Sequence, residues 1–257
     1  MLKSIVSIIA ILSLLYVAMA LLLFFFQRDM IYHPTAKVAH SYPTLAITQQ
    51  GETVNVIVVN SGQDNAFIYF GGNAEPVVAN ATDFAQSFPN TTIYLVEYRG
   101  YGDSTGQASE HALFSDALAV FDAVKPEHSN IAVVGRSLGS GVAVHLATQR
   151  PVSSVVLITP FDSLVEVAKN HYKYFPISLL VKDRFDSVAI ASKISAPVLI
   201  VAGAKDTLNP LAHSERLFAQ ISSAHSRLLT IEHAGHNDIM GFSSAYLGFV
   251  EHIQAQH

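Results

Sequence analysis

Three residues that lie far apart in the sequence carry the side chains that nucleophilic acyl chemistry requires. Ser137 lies between two glycines in residues 135–139 (GRSLG), which match the pattern G-x-S-x-G. Asp206 and His236 follow it along the chain. A serine hydroxyl becomes a nucleophile when a histidine accepts its proton, and a carboxylate orients that histidine. The residue types and their order predict that Ser137 attacks a carbonyl carbon, with His236 as the base and Asp206 as the orienting acid.

The segments around these residues predict how they are positioned. Residues 131–134 (IAVV) have the composition of a buried strand, and residues 138–149 have that of a helix rich in small side chains. A strand, a sharp turn and a helix form the context in which a G-x-S-x-G serine projects from a sheet. Asp206 and His236 each follow a later apolar strand segment. Because parallel strands end at one edge of a sheet, we expect Ser137, Asp206 and His236 to meet there.

Each assignment has an alternative. His233 is a second candidate base, and Asp162 is a second candidate acid because some hydrolases place the carboxylate after an earlier strand. Asp238 is too close to His236 along the chain to orient it. His233, His236 and Asp238 could also form a metal site, but their spacing lacks H-E-x-x-H or a comparable ligand pattern. In the simplest alternative, Ser137 only occupies a glycine-rich turn.

An oxyanion formed at this serine needs preformed N–H donors. The backbone N–H of Leu138, at the start of the predicted helix, is one candidate donor. The backbone N–H of Asn73 is the second, because its loop follows the predicted strand at residues 66–70. The alternative for Gly71 and Gly72 is an ordinary tight turn.

The fold predicted around this site is an α/β fold with an eight-stranded, mostly parallel, doubly wound sheet. The predicted strands are residues 45–50, 53–59, 66–70, 92–97, 131–134, 154–158, 197–201 and 227–231. The first two predict a hairpin joined by Gly51 and Glu52. Helices are predicted at residues 109–125, with Ser109 as the N-cap, and at 138–149, 210–222 and 237–254.

Residues 161–187 are longer than a single crossover helix requires and are rich in aromatic residues. We expect them to form a small helical cap over one end of the sheet. The large apolar residues of this cap indicate a substrate with an apolar acyl chain. They are Phe161, Tyr172, Tyr174, Phe175, Leu179 and Phe185.

The N-terminus contains an uncharged apolar run at residues 4–26, which is long enough to span a bilayer as a helix. We expect residues 1–27 to be a transmembrane anchor and residues 28–257 to be the catalytic domain. A cleaved signal peptide is the alternative, because residues 18–20 (AMA) have the A-x-A form. The basic residues that flank the run are nearly balanced and weakly favour a single-pass protein with an extracytoplasmic domain, periplasmic or luminal.

The composition argues against several other functions. The net charge is −5 at pH 7 and the sequence has no Lys/Arg cluster, so nucleic acid is not an expected partner. The absence of cysteine excludes thiolate chemistry and cysteine-ligated zinc. Residues 100–106 (GYGDSTG) resemble a dinucleotide-binding pattern, but Gly106 comes one residue late and the preceding strand is not the first of the sheet. We expect no metal or organic cofactor.

Several segments together resemble the α/β-hydrolase fold family of serine hydrolases, and especially its membrane-anchored members, which include lysophospholipase-like and acyl-thioesterase-like proteins. They are FGGNAE, EYRGYGDSTGQASEHALFSDALAVFD, GRSLGSGVA, GAKDTLNP and AGHND, in this order, and DMIYHP after the apolar run is also similar. The resemblance covers about residues 30–255. It implies that residues 100–106 form a structural loop in which Arg99 and Asp103 make local bonds. Relatives usually have His-Gly-Asn-Ala-Gly where this chain has GGNAE at residues 71–75, so a histidine that would support the loop is missing.

The predicted function is hydrolysis of a carboxylic ester or thioester with an apolar acyl chain, through an acyl-enzyme and without a cofactor. One alternative is a serine peptidase or small-molecule hydrolase that uses the same three residues. Another is a catalytically inactive hydrolase fold that acts as a membrane-tethered binding module. Only the altered loop at residues 71–75 favours this last alternative.

Overall fold

A single sheet of eight strands organises the part of the chain that the structure describes. The computed structural model describes residues 2–255, so Met1, Gln256 and His257 of the predicted anchor and domain lie outside the described residues. The strands are β1 (Thr44–Gln49), β2 (Glu52–Val59), β3 (Asn65–Phe70), β4 (Thr91–Val96), β5 (Asn130–Arg136), β6 (Val155–Ile158), β7 (Val198–Gly203) and β8 (Arg227–Ile231). Their order is β1-β2-β4-β3-β5-β6-β7-β8. β3 to β8 are mutually parallel, whereas β2 runs antiparallel to β1 and β4.

The sheet confirms the predicted fold, and each predicted strand is present with its bounds shifted by at most about two residues. The predicted turn between the first two strands is wrong by one residue. Gln49 pairs with Glu52, and the turn consists of Gln50 and Gly51 with φ of 55° and 83°. A two-residue hairpin turn of this kind requires positive φ at both positions, and Glu52 already belongs to the strand.

The helices are α1 (Leu2–Ile31), α2 (Ala81–Ser87), α3 (Glu110–Val124), α4 (Leu138–Gln149), α5 (Leu164–His171), α6 (Ile177–Leu180), α7 (Leu211–Phe218) and α8 (Ser243–Gln254). Ser109 caps α3 as predicted, because its Oγ accepts a hydrogen bond from the N–H of Ala112 at 3.2 Å. α7 and α8 are shorter than predicted, since 3₁₀-type turns follow the first and precede the second. α2 was not predicted, because seven residues are too few to show a helical period.

The core lies on both faces of the sheet, as continuous apolar strands require. In β5, Ile131 and Val133 face α3 and α4, and Ala132 and Val134 face α2 and α8. Helices cover both faces of the sheet, whereas the ends of the strands are not covered by these helices. The carboxyl ends of the parallel strands are therefore available for a site.

Two features lie outside this layered body. α5 and α6 belong to the predicted cap segment, residues 161–187, which follows β6. α1 is a 30-residue helix whose side chains are mostly exposed apart from the buried Gln27, and its length and apolar composition are sufficient to cross a membrane. The last turns of α1 lie against the cap.

Candidate active site

Ser137 lies on the turn that joins β5 to α4, in a conformation that L-residues rarely adopt. Its φ is 48° and its ψ is −112°. Its N–H donates to the carbonyl of Ile158 in β6 at 2.9 Å, which fixes the turn to the sheet. A Cβ on Gly139 would collide with the backbone of Phe70, and one on Gly135 would collide with the carbonyl of Gly139. The two glycines therefore permit the close packing that holds Ser137 in this strained conformation.

The structure brings the three predicted residues into one hydrogen-bonded series. Ser137 Oγ lies 2.9 Å from His236 Nε2, and His236 Nδ1 lies 2.7 Å from Asp206 Oδ2. Asp206 Oδ1 also accepts the backbone N–H groups of Leu208 and Asn209, at 2.9 and 2.8 Å. The Asp206 side chain is 1% exposed and that of His236 is 11% exposed. The carboxylate is therefore fixed, and the imidazole reaches the cavity through one edge.

The alternative residues make other contacts. Asp162 accepts hydrogen bonds from His213 Nδ1 and Arg216 Nε, both at 2.6 Å, and does not contact His236. Burial would raise the pKa of Asp162, but the hydrogen bonds from His213 and Arg216 outweigh it and lower that pKa. His233 is exposed. Asp162 therefore belongs to a separate cluster with His213 and the half-exposed Arg216.

Asp238 stabilises the loop that carries His236. It does not form a metal site with His233 and His236. Its Oδ1 accepts the N–H of Gly235 at 2.7 Å, which braces the loop that carries His236. Within residues 2–255, no group of three or more His, Asp or Glu side chains is arranged to hold a metal ion.

The predicted oxyanion donors lie beside Ser137. Leu138 is the first residue of α4, where a backbone N–H has no acceptor inside the helix, and both Leu138 and Asn73 line the same cavity as Ser137. The N–H of Gly72 is already committed, because it donates to Glu75 Oε2 at 2.6 Å. In this loop Asn73 is therefore a better candidate donor than Gly72.

Glu75, which occupies the last position of the altered GGNAE segment, supports the loop. Its carboxylate accepts hydrogen bonds from the Tyr69 hydroxyl and the Asn80 amide, both at 2.7 Å, and from Gly72. Burial, together with the charge of Glu75, raises the pKa of Tyr69 well above its ordinary value, so this hydroxyl stays protonated as a donor. Arg136 Nη1 lies 3.5 Å from Glu75 Oε2. Sequence patterns assign no role to Glu75 or Arg136, because their contact depends on side-chain conformations in the loop after β3 and at the end of β5.

Asn73 is held by the last residue of α1, by the segment that follows it and by Tyr101. Its side-chain amide donates to the carbonyl of Ile31, and its Oδ1 accepts the N–H of His33 at 2.9 Å and the Tyr101 hydroxyl at 2.7 Å. The Tyr98 hydroxyl donates to the carbonyl of Gly71 at 2.8 Å. These contacts hold the loop in place from separate parts of the chain. They also connect the end of the apolar helix to the candidate oxyanion donor.

The loop at residues 100–106 has a structural role. Arg99 forms a buried ion pair with Asp116 at 2.6 Å, and Asp103 pairs with Lys37 at 2.8 Å. Gly100, Gly102 and Gly106 have φ between 56° and 81°. The glycines therefore shape a tight loop from which Tyr101 reaches Asn73.

A cavity of about 690 Å³ opens above Ser137 and His236. It lies between the cap and the last turns of α1, and most of its lining is apolar. Phe161 and Tyr172 of the predicted cap residues line it. Phe185 instead lies in the core, because its ring packs against Gly141 of α4, and Tyr174 and Leu179 are 89% and 82% exposed. The cap therefore contributes only part of its aromatic residues to the cavity.

This arrangement can perform one kind of chemistry. The distance from Ser137 Oγ to His236 Nε2 permits direct proton transfer, and Asp206 fixes the opposite ring nitrogen. The fold, the strained serine turn and the order Ser, Asp, His define a class of enzymes. The chain belongs to the α/β-hydrolase fold family.

The chain is similar to several known proteins. An uncharacterized protein of Mycobacterium tuberculosis strain H37Rv is 32% identical over 250 residues, which are 90% of this chain and 88% of that protein. Alpha/beta hydrolase domain-containing protein 17B of Xenopus laevis is 32% identical over 160 residues, 58% of this chain and 52% of that protein. A solved structure of the Pyrococcus furiosus esterase Pf2001 superposes with a TM-score of 0.73 at 17% identity, over 88% of this chain and 99% of that one. No family model matches the chain.

Proposed function

We propose that the protein hydrolyses carboxylic esters or thioesters that have an apolar acyl chain, with Ser137 as the nucleophile, His236 as the general base and Asp206 as the orienting acid. The observation that carries this proposal is the unbroken series of hydrogen bonds from Ser137 Oγ to Asp206, at the floor of the cavity. The family membership and the fold shared with the esterase Pf2001 support the reaction class.

The proposed reaction has two stages. Ser137 Oγ attacks the carbonyl carbon while its proton moves to His236 Nε2, and the oxyanion that forms accepts N–H donors from Leu138 and Asn73. The C–O or C–S bond to the leaving group then breaks as His236 returns the proton to it, which leaves an acyl-serine. Water, deprotonated by His236, then attacks the acyl carbon. The bond from this carbon to Ser137 Oγ breaks, His236 returns the proton to Oγ, and the carboxylic acid leaves. Asp206 keeps Nδ1 protonated and stabilises the imidazolium in both stages.

The lining of the cavity supports an apolar acyl group. Leu164, Val167 and Ile177 of the cap face the cavity, and its volume of about 690 Å³ lies within the usual range for small-molecule sites, about 300–1,000 Å³. No metal or organic cofactor takes part in the proposed chemistry.

The proposal includes an uncleaved N-terminal anchor, residues 1–27, followed by a catalytic domain, residues 28–257, that lies outside the cytoplasm. The continuous helix α1 and its contacts with the cap support retention of the anchor, since Tyr16 stacks on Phe175 with ring centroids 5.0 Å apart. Carbonate extraction of membranes and protease accessibility of the domain in sealed vesicles test the anchor and its orientation. Release of the protein from the membrane by carbonate would contradict the anchor. A protease accessibility that places the domain on the cytoplasmic side would contradict its orientation.

Hydrolysis by the purified full-length protein in detergent micelles tests the reaction itself. p-Nitrophenyl esters and acyl thioesters of increasing chain length are the substrates, and Ser137→Ala is the control. We expect turnover by the wild type that the Ser137→Ala variant lacks. A folded wild type that turns over no ester or thioester would overturn the proposal.

A further inference from the structure

The last turns of α1 form one side of the cavity. Leu23, Gln27, Met30 and Ile31 line it, and their spacing places them on one face of the helix. Ile177 and Leu180 of α6 face them from the cap. The helix that resembles a membrane anchor is therefore also a wall of the candidate active site.

This wall is fixed by specific polar contacts. Gln27, which is 7% exposed, donates through Nε2 to the carbonyl of Leu180 at 3.0 Å and accepts at Oε1 the N–H of Lys182 at 2.7 Å. Arg28 makes two hydrogen bonds to the carboxylate of Asp183, at 3.0 and 3.2 Å. The side-chain amide of Gln27 thus satisfies both a donor and an acceptor of the cap backbone, which sets the separation of α1 and α6.

The contact between cap and helix continues toward the N-terminal end of α1. The Tyr16 hydroxyl donates to the carbonyl of Tyr174 at 2.8 Å, and the Tyr16 ring stacks on Phe175. Near this contact the cap exposes Tyr174 and Leu179 almost completely. A bilayer around α1 would cover these cap residues as well, which brings the cavity to the membrane surface.

We propose that the face of α1 formed by Leu23, Gln27, Met30 and Ile31 is the specificity-determining wall of the acyl pocket. The inference rests on the proposed function and specifies its substrate as a single-chain amphiphile. Its acyl chain lies between α1 and α6 and enters from the bilayer surface. The wall carries no charge, because Arg28 turns away to Asp183 and Lys182 Nζ lies over the Phe24 ring, 4.0 Å from its centroid. Leu23 and Met30 then set how much of the chain fits.

Two neighbouring leucines provide a matched test. Leu23 lines the cavity, whereas Leu22 is 51% exposed on another face of α1. Leu23→Trp and Leu22→Trp add the same side chain to the same stretch of helix. The full-length proteins are assayed in detergent micelles with p-nitrophenyl acetate, butyrate, octanoate, laurate and palmitate. The readout is the ratio of kcat/KM for laurate to that for butyrate.

We expect Leu23→Trp to lower this ratio at least about tenfold, the loss that follows when about two methylene groups are no longer buried. Leu22→Trp should keep the wild-type ratio. Equal ratios in the two variants, with the wild type active, would overturn the inference and leave the proposed function intact. A wild type inactive on every ester would overturn both.

Labelling by a fluorophosphonate probe shows whether Leu23→Trp keeps its folded site. If it does not label, Leu23→Ala decides, because a smaller side chain should move the preferred ester toward longer chains. An unchanged preference in Leu23→Ala would also overturn the inference.

Discussion

Ser137 Oγ and His236 Nε2 lie 2.9 Å apart although 99 residues separate them in the chain. The parallel sheet produces this contact, since β5 and β8 end at the same edge and β6 and β7 set the distance between them. Any change that shifts these strands therefore acts on the hydrogen bond as well as on stability. Substitutions at single residues can separate the two effects.

Two buried carboxylates should behave in opposite ways. Asp206→Asn leaves the fold intact but removes the charge that orients and stabilises His236, so kcat should fall about 10⁴-fold. Asp162→Asn removes the carboxylate that accepts hydrogen bonds from His213 and Arg216. Because the Arg216 side chain is 49% exposed, solvent screens its pairing, so the free energy of unfolding should fall by only about 1 kcal/mol while ester turnover persists. Chemical denaturation and steady-state kinetics on both variants measure the contrast. The assignment of Asp206 would fail if Asp162→Asn lost activity as severely while remaining folded.

The side chain of Asn73 should influence the rate of acylation more than substrate binding. Asn73→Ala removes the contacts with Ile31 and His33 that position the loop, so kcat should fall between about tenfold and a hundredfold with little change in KM. Tyr101→Phe removes one of the hydrogen bonds to Asn73 and should have a smaller effect. A rise in KM at constant kcat would indicate that Asn73 binds substrate instead.

Two glycines offer a test of the serine turn. A methyl group at Gly139 would collide with the backbone of Phe70, which cannot move without disturbing β3, whereas a Cβ at Gly241 meets nothing within 4 Å. Gly139→Ala should therefore cost about 3 kcal/mol of stability or more and abolish turnover, and Gly241→Ala should change neither. Thermal melts and ester hydrolysis measure both. A stable and active Gly139→Ala variant would contradict the account of the turn.

Acid should destabilise the protein partly through His145. Burial lowers the pKa of His145 from 6.5, and its ring stacks on Phe114 with centroids 3.9 Å apart. A histidine with a lowered pKa in the folded state contributes stability above its unfolded pKa, about 6.5, and this stability is lost as the pH falls through the folded-state pKa. His145→Gln should therefore reduce the fall in Tm between pH 7.5 and 5.5. The substitution should not abolish the fall in Tm, because burial also lowers the pKa of His252. An unchanged pH dependence in His145→Gln would refute this role.

The sequence predicted the fold and the three central side chains because both follow from local patterns. Continuous apolar strands imply a sheet buried on both faces, and its parallel strands bring Ser137, Asp206 and His236 to one edge. The order of the residues does not distinguish Asp206 from Asp162, because both lie between Ser137 and His236. The contact of His236 Nδ1 with Asp206 Oδ2 does so in the structure. The hairpin turn was misplaced by one residue because residue types alone do not show which two residues adopt positive φ. In the structure these are Gln50 and Gly51, and Glu52 belongs to the strand.

The contacts of α1 could not be predicted for a physical reason. The helix is apolar on nearly every side, so no periodicity marks the face that lines the cavity, and Gln27 is indistinguishable from a polar residue at the end of an apolar run. The network around Glu75 and Arg136 was missed because it joins β3, the loop that follows it and the end of β5 through side-chain rotamers. Both features bear on how the site is supported, whereas its central residues follow from the strand order.

Fluorophosphonate labelling tests the central claim most directly, because the probe reacts only with a serine that is activated as a nucleophile. The measurement compares purified full-length wild type with Ser137→Ala and His236→Ala, each shown to be folded by its thermal melt. The account predicts that the wild type is labelled and that both substitutions abolish labelling. A folded wild type that remains unlabelled, or a Ser137→Ala variant that is labelled as strongly as the wild type, would contradict it.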